Sequence, residues 1–291
     1  MRFSGSIENR AAKEKAIDLA GESRTGLGCM ALTGIYGEVE RKQAIGTLHT
    51  ALDYGVTLFD TAPLYGSGAN EELLGDVIGS RGGTTIVTKF GLYANAQGEL
   101  FRDSRPETIR SSVESSLKRL KRDRIDLLLQ HRTDSRVRVD EVRVCINDLI
   151  SEGKVGAFGL SCVTSNDILF WSRDGGLDAV QNELSLNTGS KRREIAIAEE
   201  ESAIYMAFSP LARGILTGSR ASQQGDIRMS MNGFPALRDS FRLQAEKHRA
   251  TIDLEGGSHA RQAIDWVLAQ GSNVVAIPGC RTPNHVAEIF R

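Results

Sequence analysis

The feature that most constrains this chain is an alternation. Eight short apolar runs are separated by longer amphipathic stretches. The runs are GLGCMAL (26–32), TLFDTA (57–62), TTIVTKF (84–90), IDLLLQH (125–131), AFGLSC (157–162), AVQNELS (179–185), YMAFSPL (205–211) and NVVAIPG (273–279). The stretches that follow them include ERKQAIGTLHTALDYG, where Ala44, Leu48, Ala51 and Leu52 recur at helical spacing. NEELLGDVIGSR opens on Asn70, read as an N-cap, with acids in its first turn; SRPETIRSSVESSLKRLKRD opens on Ser104 as a cap with Pro106 just inside. Strand–helix alternation requires crossovers and hence parallel strands. Near-continuous apolar runs suit strands covered on both faces. Eight such units in 291 residues predict an α/β fold, a closed (β/α)8 TIM barrel forming one domain over 1–291. Residues 1–24 carry no assignment, and 217–257 read as an elaborated loop with an extra helix.

The composition narrows the partners. With 40% hydrophobic residues, 25% charged residues and a net charge of -1, nothing calls for a nucleic acid or an anionic membrane. Cys29, Cys145, Cys162 and Cys280 are scattered without CxxC or metal-ligand spacing, as for reduced thiols. No apolar run is long enough to span a bilayer and the N-terminus lacks an apolar signal core, so a cytoplasmic location is expected. The segment GLGCMA (26–31) fits G-x-G-x-x-A, but no strand precedes it and no helix follows. Its glycines are expected to let the backbone pass close to a neighbour at the end of the first strand.

Polar residues then fall at corresponding places on the runs. Asp60 and Tyr65 follow the second, Lys89 ends the third, Gln130 and His131 end the fourth, and Ser161 ends the fifth. Gln181 lies in the sixth and Ser209 ends the seventh. In a parallel barrel these ends share one rim, where catalysis takes place. Each residue alone has a structural explanation, such as an ion pair for Asp60 and Lys89. Four titratable groups on three consecutive strand ends are harder to explain by packing, because buried charge is costly. They suit proton transfer at a carbonyl. A tyrosine has a pKa of about 10 and needs a neighbour to act near neutrality. Lys89 would favour the phenolate, Asp60 would hold Lys89, His131 would orient the carbonyl oxygen, and Tyr65 would give the proton.

These residues resemble the aldo-keto reductase superfamily from about residue 25 to 291. DTAPLYGSGANEELLG is similar to its Asp–Tyr segment, VTKFG to its lysine strand and IDLLLQHRTD to its histidine strand. GLSC, VQNELS, FSPLARGILTG and IPGCRTP resemble its cofactor segments, in the family's order, with the bacterial and plant branch the nearest. The resemblance implies an NADPH-dependent reductase of aldehydes or ketones with Asp60, Tyr65, Lys89 and His131 as its catalytic tetrad. It implies Ser161 and Gln181 at the nicotinamide carboxamide and Phe208 stacked on its ring. Ser209, Leu211 and Arg213 would follow the pyrophosphate, and Gly279, Arg281, His285 and Glu288 would hold the 2'-phosphate and adenine. Gly28 and Met30 join the cofactor set, no metal is implied, and a monomer is the default. Tyr36, Phe90 and the loop from Met229 to Phe234 are expected to line a mainly apolar substrate pocket.

The chain departs from the pattern in places. Cys162 follows Ser161 where Asn or a similar acceptor is usual, and PGCR with His285 stands where many members have more Lys or Arg. Fewer cations weaken a 2'-phosphate site, so NADH is possible beside NADPH. The chain ends at Arg291, early for the family, which implies a pocket that is open or completed by other segments. Two alternatives remain: a catalytically weak, cofactor-binding redox-sensor subunit, and a metal-dependent barrel enzyme, for which only His131 and Asp60 qualify as ligands.

Overall fold

The strand-forming runs owe their shape to period-two side-chain alternation, and the computed structural model shows what each face meets. It describes residues 14–16, 18–173, 177–219, 226–229, 243–244, 246–248 and 258–291. Eight parallel strands form the barrel: β1 (Leu27–Gly28), β2 (Leu58–Asp60), β3 (Thr85–Phe90), β4 (Leu127–Gln130), β5 (Phe158–Ser161), β6 (Ala179–Glu183), β7 (Ile204–Phe208) and β8 (Val274–Ile277). Bridges Thr25↔Ala276 and Gly28↔Gly279 join the last strand to the first and close the sheet. Each strand is followed by a helix: α1 (Arg41–Asp53), α2 (Ala69–Ile78), α3 (Pro106–Leu120), α4 (Val139–Ser151), α5 (Ser165–Ser172), α6 (Arg192–Glu200), α7 (His259–Leu268) and α8 (Pro283–Phe290).

Inward positions form one apolar plug: Leu58, Val87, Leu127, Leu129, Ala179, Ile204, Met206, Val275 and Ile277, with Ala16 and Ala20 packed on it. Outward positions such as Phe59, Ile86, Leu128, Val180 and Tyr205 meet the helices in a second, larger core. Truncating a buried leucine here, such as Leu129→Ala, costs about 2–5 kcal/mol because the cavity left cannot fully collapse. The same alternation continues above the plug. Two residues past an inward apolar residue comes the next inward position, and on β2, β3, β4 and β6 that position is polar.

The sequence-based elements need four corrections. β1 is two residues long, and Cys29–Thr33 turn into a 3-10 helix. A Cβ on Gly28 would stand 2.8 Å from the Ile277 carbonyl oxygen, so the close passage expected of that glycine is the seam of the barrel. Helix α2 is capped by Gly68 in a left-handed conformation, not by Asn70, whose side chain is buried and otherwise engaged. Helix α3 is preceded by Arg105, and the Ser104 hydroxyl instead accepts a hydrogen bond from Gln130 Nε2 at 2.9 Å. A hairpin, Leu92–Ala94 paired antiparallel with Leu100–Arg102, rises between β3 and α3 where no element was expected.

Candidate active site

Inward-facing residues at the strand ends are Gly28, Asp60, Lys89, His131, Ser161, Gln181 and Phe208. All except Lys89 line a cavity of about 1400 Å³ at the C-terminal rim. Lys89 lies just beneath it, 1% exposed. A charge this deep is tolerated only if its donors are satisfied. Its Nζ donates to Asp60 Oδ1 at 2.7 Å, Asp60 Oδ2 at 2.9 Å and the Thr61 carbonyl at 2.8 Å. Gln181 Nε2 also donates to Asp60 Oδ2, at 2.6 Å.

The start of α2 holds this pair from behind. Asn70 Oδ1 accepts from the Thr61 hydroxyl at 2.6 Å, and its Nδ2 donates to the Cys29 carbonyl at 2.8 Å. Glu71 is fully buried; it accepts from Thr88 Oγ1 at 2.6 Å and from Arg119 Nε at 2.7 Å. Thr61 adjoins Asp60 and Thr88 adjoins Lys89, so α2 fixes both strand ends that carry the ion pair. Neither Asn70 nor Glu71 stood out as a site residue, because they act through backbone neighbours. The available signal was two buried-type polar positions directly after a Gly-rich turn.

Tyr65 is presented by that turn. Gly66, Ser67 and Gly68 have φ of 59°, 52° and 95°, a left-handed run that returns the chain towards the rim. Lys89 Nζ lies 5.2 Å from the Tyr65 ring centroid. The His131 ring meets Tyr65 edge-on, with centroids 6.0 Å apart and planes at 88°. Burial pushes the Tyr65 phenol up and outweighs the Lys89 ammonium, which pulls it down. The expected pull of Lys89 towards the phenolate is present but outweighed, so Tyr65 rests as a neutral phenol. Burial alone would lower Lys89, but the Asp60 carboxylate and the Tyr65 phenol together more than reverse this and keep the ammonium charged. Burial, followed by the charges of Lys89 and Arg132, holds His131 well below the usual histidine range, as a neutral imidazole.

The other side of the cavity is lined by Ser161, Phe208, Ser209, Leu211, Arg213, Gly279, Arg281, His285 and Glu288, with Met30 above β1. Arg213 pairs with Glu183 at 3.7 Å. Arg281 Nη2 donates to the Glu38 carbonyl at 3.1 Å, which ties the β8–α8 loop to the segment before α1. Burial lowers the His285 imidazole, partly opposed by Glu288. Cys162 is exposed at φ 57° and lines the cavity.

Among the substrate-pocket expectations, Tyr36 lines the cavity, and the Arg228 guanidinium lies 5.2 Å from its ring centroid. Phe90 does not line it. Alternation sends Lys89 inward and Phe90 outward, where it stacks on Phe158 with centroids 6.3 Å apart. Gln130 points outward for the same reason. Of the loop from Met229 to Phe234, all beyond the turn Ile227–Met229 lies outside the described residues. The unexpected hairpin contributes Leu92, Gly98 and Leu100 to the lining.

Residues 24–291 match the model of the aldo/keto reductase family. The chain belongs to the aldo/keto reductase family. It is 34% identical over 272 residues to a probable aldo-keto reductase 1 of Glycine max, covering 88% of this chain and 77% of the relative. It is 30% identical to the aldo-keto reductase yakc of Schizosaccharomyces pombe, whose name specifies NADP(+), covering 91% of this chain and 82% of that protein. Among solved structures, a glycerol dehydrogenase from Gluconobacter oxydans superposes with a TM-score of 0.79 at 30% identity, covering 92% of this chain and 85% of the other. The strand-end tetrad therefore stands in the fold expected for this family. Among the described residues no helix is long and apolar enough to cross a membrane.

Proposed function

We propose that the protein is an NADPH-dependent reductase of aldehydes or ketones, with Tyr65 as proton donor. The observation that carries this reading is the buried Lys89–Asp60 pair beside a neutral Tyr65 and a neutral His131 at one end of the cavity. The donor set fits a nicotinamide dinucleotide phosphate. Ser161 and Gln181 offer a hydroxyl and an amide beside Asp60, with the Gln181 carbonyl oxygen left for a carboxamide. Phe208 offers a ring face, and Arg213 and Arg281 supply guanidinium groups along the cavity. A bound NADPH supplies the hydride.

The chain's own residues do the rest. His131 donates a hydrogen bond to the substrate oxygen and sets its position. As negative charge grows on that oxygen, the Tyr65 phenol delivers its proton, and Lys89 stabilises the phenolate left behind. Asp60 and Gln181 hold Lys89 charged and immobile through the cycle. The carbonyl thus gains a hydride at carbon and a proton at oxygen, giving the alcohol. Among the described residues no three His, Cys, Asp or Glu side chains converge as metal ligands.

The test is loss of the reduced-nicotinamide absorbance with NADPH and a panel of aldehydes, 4-nitrobenzaldehyde and pyridoxal among them. Consumption with stoichiometric alcohol formation is expected. NADPH binding without turnover of any aldehyde or ketone would contradict the assignment.

A further inference from the structure

The charges lining the cavity can be matched one against another. Asp60 is taken by Lys89, Glu183 by Arg213 and Asp226 by Arg228, the last at 2.7 Å. Arg281 and Glu288 lie at the β8–α8 end, where Glu288 accepts from Ser258 Oγ at 2.9 Å. One cation at the opposite end has no such match. Arg132 follows His131 at the top of β4, is half-buried and lines the cavity with Tyr65, His131, Leu92 and Leu100. Its Nη1 donates to the His131 carbonyl oxygen at 2.6 Å. Among the described residues no carboxylate pairs with it, and Nε and Nη2 have no protein partner.

Several arginines around this barrel pair with acids, as Arg105, Arg110, Arg119, Arg136 and Arg228 do, while Arg24 and Arg102 spend their donors on backbone carbonyls outside the cavity. A half-buried guanidinium pinned on one nitrogen presents its remaining edge in a fixed plane, the geometry that receives a carboxylate through two parallel hydrogen bonds. The same cavity is also lined by the apolar side chains of Leu64, Leu92 and Leu100 and by Tyr36. The Arg132 charge also reaches the reacting groups. Besides the dominant effects of burial, it helps to lower both the Tyr65 phenol and the His131 imidazole.

Resting on the reductase reading, we propose that Arg132 is a specificity residue and that the preferred substrate is a carbonyl compound that also carries a carboxylate on an apolar frame. Arg132 would hold the carboxylate while His131 and Tyr65 address the carbonyl. An acid in place of an ester would thus bind better at the same reacting group.

The test compares 4-carboxybenzaldehyde with its methyl ester, and succinic semialdehyde with butanal, in the wild type, Arg132→Gln and Arg132→Lys. The wild type should favour each acid in kcat/KM by about tenfold or more, the size of one charge-assisted hydrogen bond. Arg132→Gln should erase that preference mainly through KM, and Arg132→Lys should restore part of it. Calorimetry of the wild type and Arg132→Gln with 4-(hydroxymethyl)benzoate and its methyl ester reads the anion site without turnover. Charge-selective binding lost in Arg132→Gln supports the site even if no aldehyde is reduced, an outcome that would sink the reductase reading alone. Equal handling of acid and ester by the wild type, or an equal loss on both in Arg132→Gln, overturns the proposal.

Discussion

On the β2–β4 side of the cavity, Asp60, Lys89 and His131 are each less than a tenth exposed, and every donor of the lysine is engaged. On the β7–β8 side loops contribute much of the lining, among them Ser209, Leu211, Arg213, Gly214, Gly279 and Arg281. Ser209, Ala212 and Arg213 have φ of 53°, 48° and 59°, and Gly214 and Gly279 leave the backbone bare. The first side depends on which side chains stand at fixed strand positions. The second depends on where the chain goes, and it holds three non-glycine residues in a left-handed conformation that costs roughly 1–2 kcal/mol each. On the proposed reading, the difference teaches that chemistry and cofactor grip can be damaged separately.

Lys89→Met should break the first side most severely. It leaves Asp60 buried with only Gln181 as partner, a loss of roughly 3–5 kcal/mol in chemical denaturation, and turnover should vanish with it. Retained stability would mean that Asp60 escapes burial or takes up a proton. The pH profile sharpens the same side. Because burial raises the Tyr65 phenol, the phenol keeps its proton throughout the neutral range and loses it only above the ordinary tyrosine range. Reduction should therefore hold on a plateau into alkaline pH, while alcohol oxidation, which needs the phenolate, should rise over that range. His131 stays neutral and should add no break near its usual value. A reduction rate that falls near neutrality would contradict the phenol's placement.

Arg281→Ala probes the second side. It should weaken NADPH by about tenfold while changing NADH less, if this guanidinium meets the 2'-phosphate. Titration with both cofactors decides, and equal weakening would remove the contact. The smallest effect belongs to Ser209→Gly. Relief of the left-handed strain and the added freedom of the unfolded chain oppose each other, so thermal unfolding should shift by no more than about 1 kcal/mol equivalent.

Much of this was legible in the sequence. The rhythm of apolar runs located all eight strands, and alternation from an apolar inward residue leads to Asp60, Lys89, His131 and Gln181. The same rule, applied one residue further, would have turned Phe90 away from the substrate pocket and Gln130 away from the shared rim. Legibility failed where tertiary contacts decide. Asn70 and Ser104 are cap-type residues that satisfy buried partners on other elements. The hairpin Leu92–Arg102 has strands too short for a clear pattern, although Asn95 and Gly98 mark its turn. The resting state of Tyr65 depends on how far burial outweighs a nearby charge, and no motif encodes that balance.

The most direct measurement is made on Tyr65→Phe: NADPH affinity by fluorescence titration, and aldehyde reduction by the same protein. The account predicts affinity within a few-fold of the wild type and a fall in turnover of about 10²–10⁴, the share general acid catalysis supplies. Turnover near the wild-type rate with the phenol gone would contradict it.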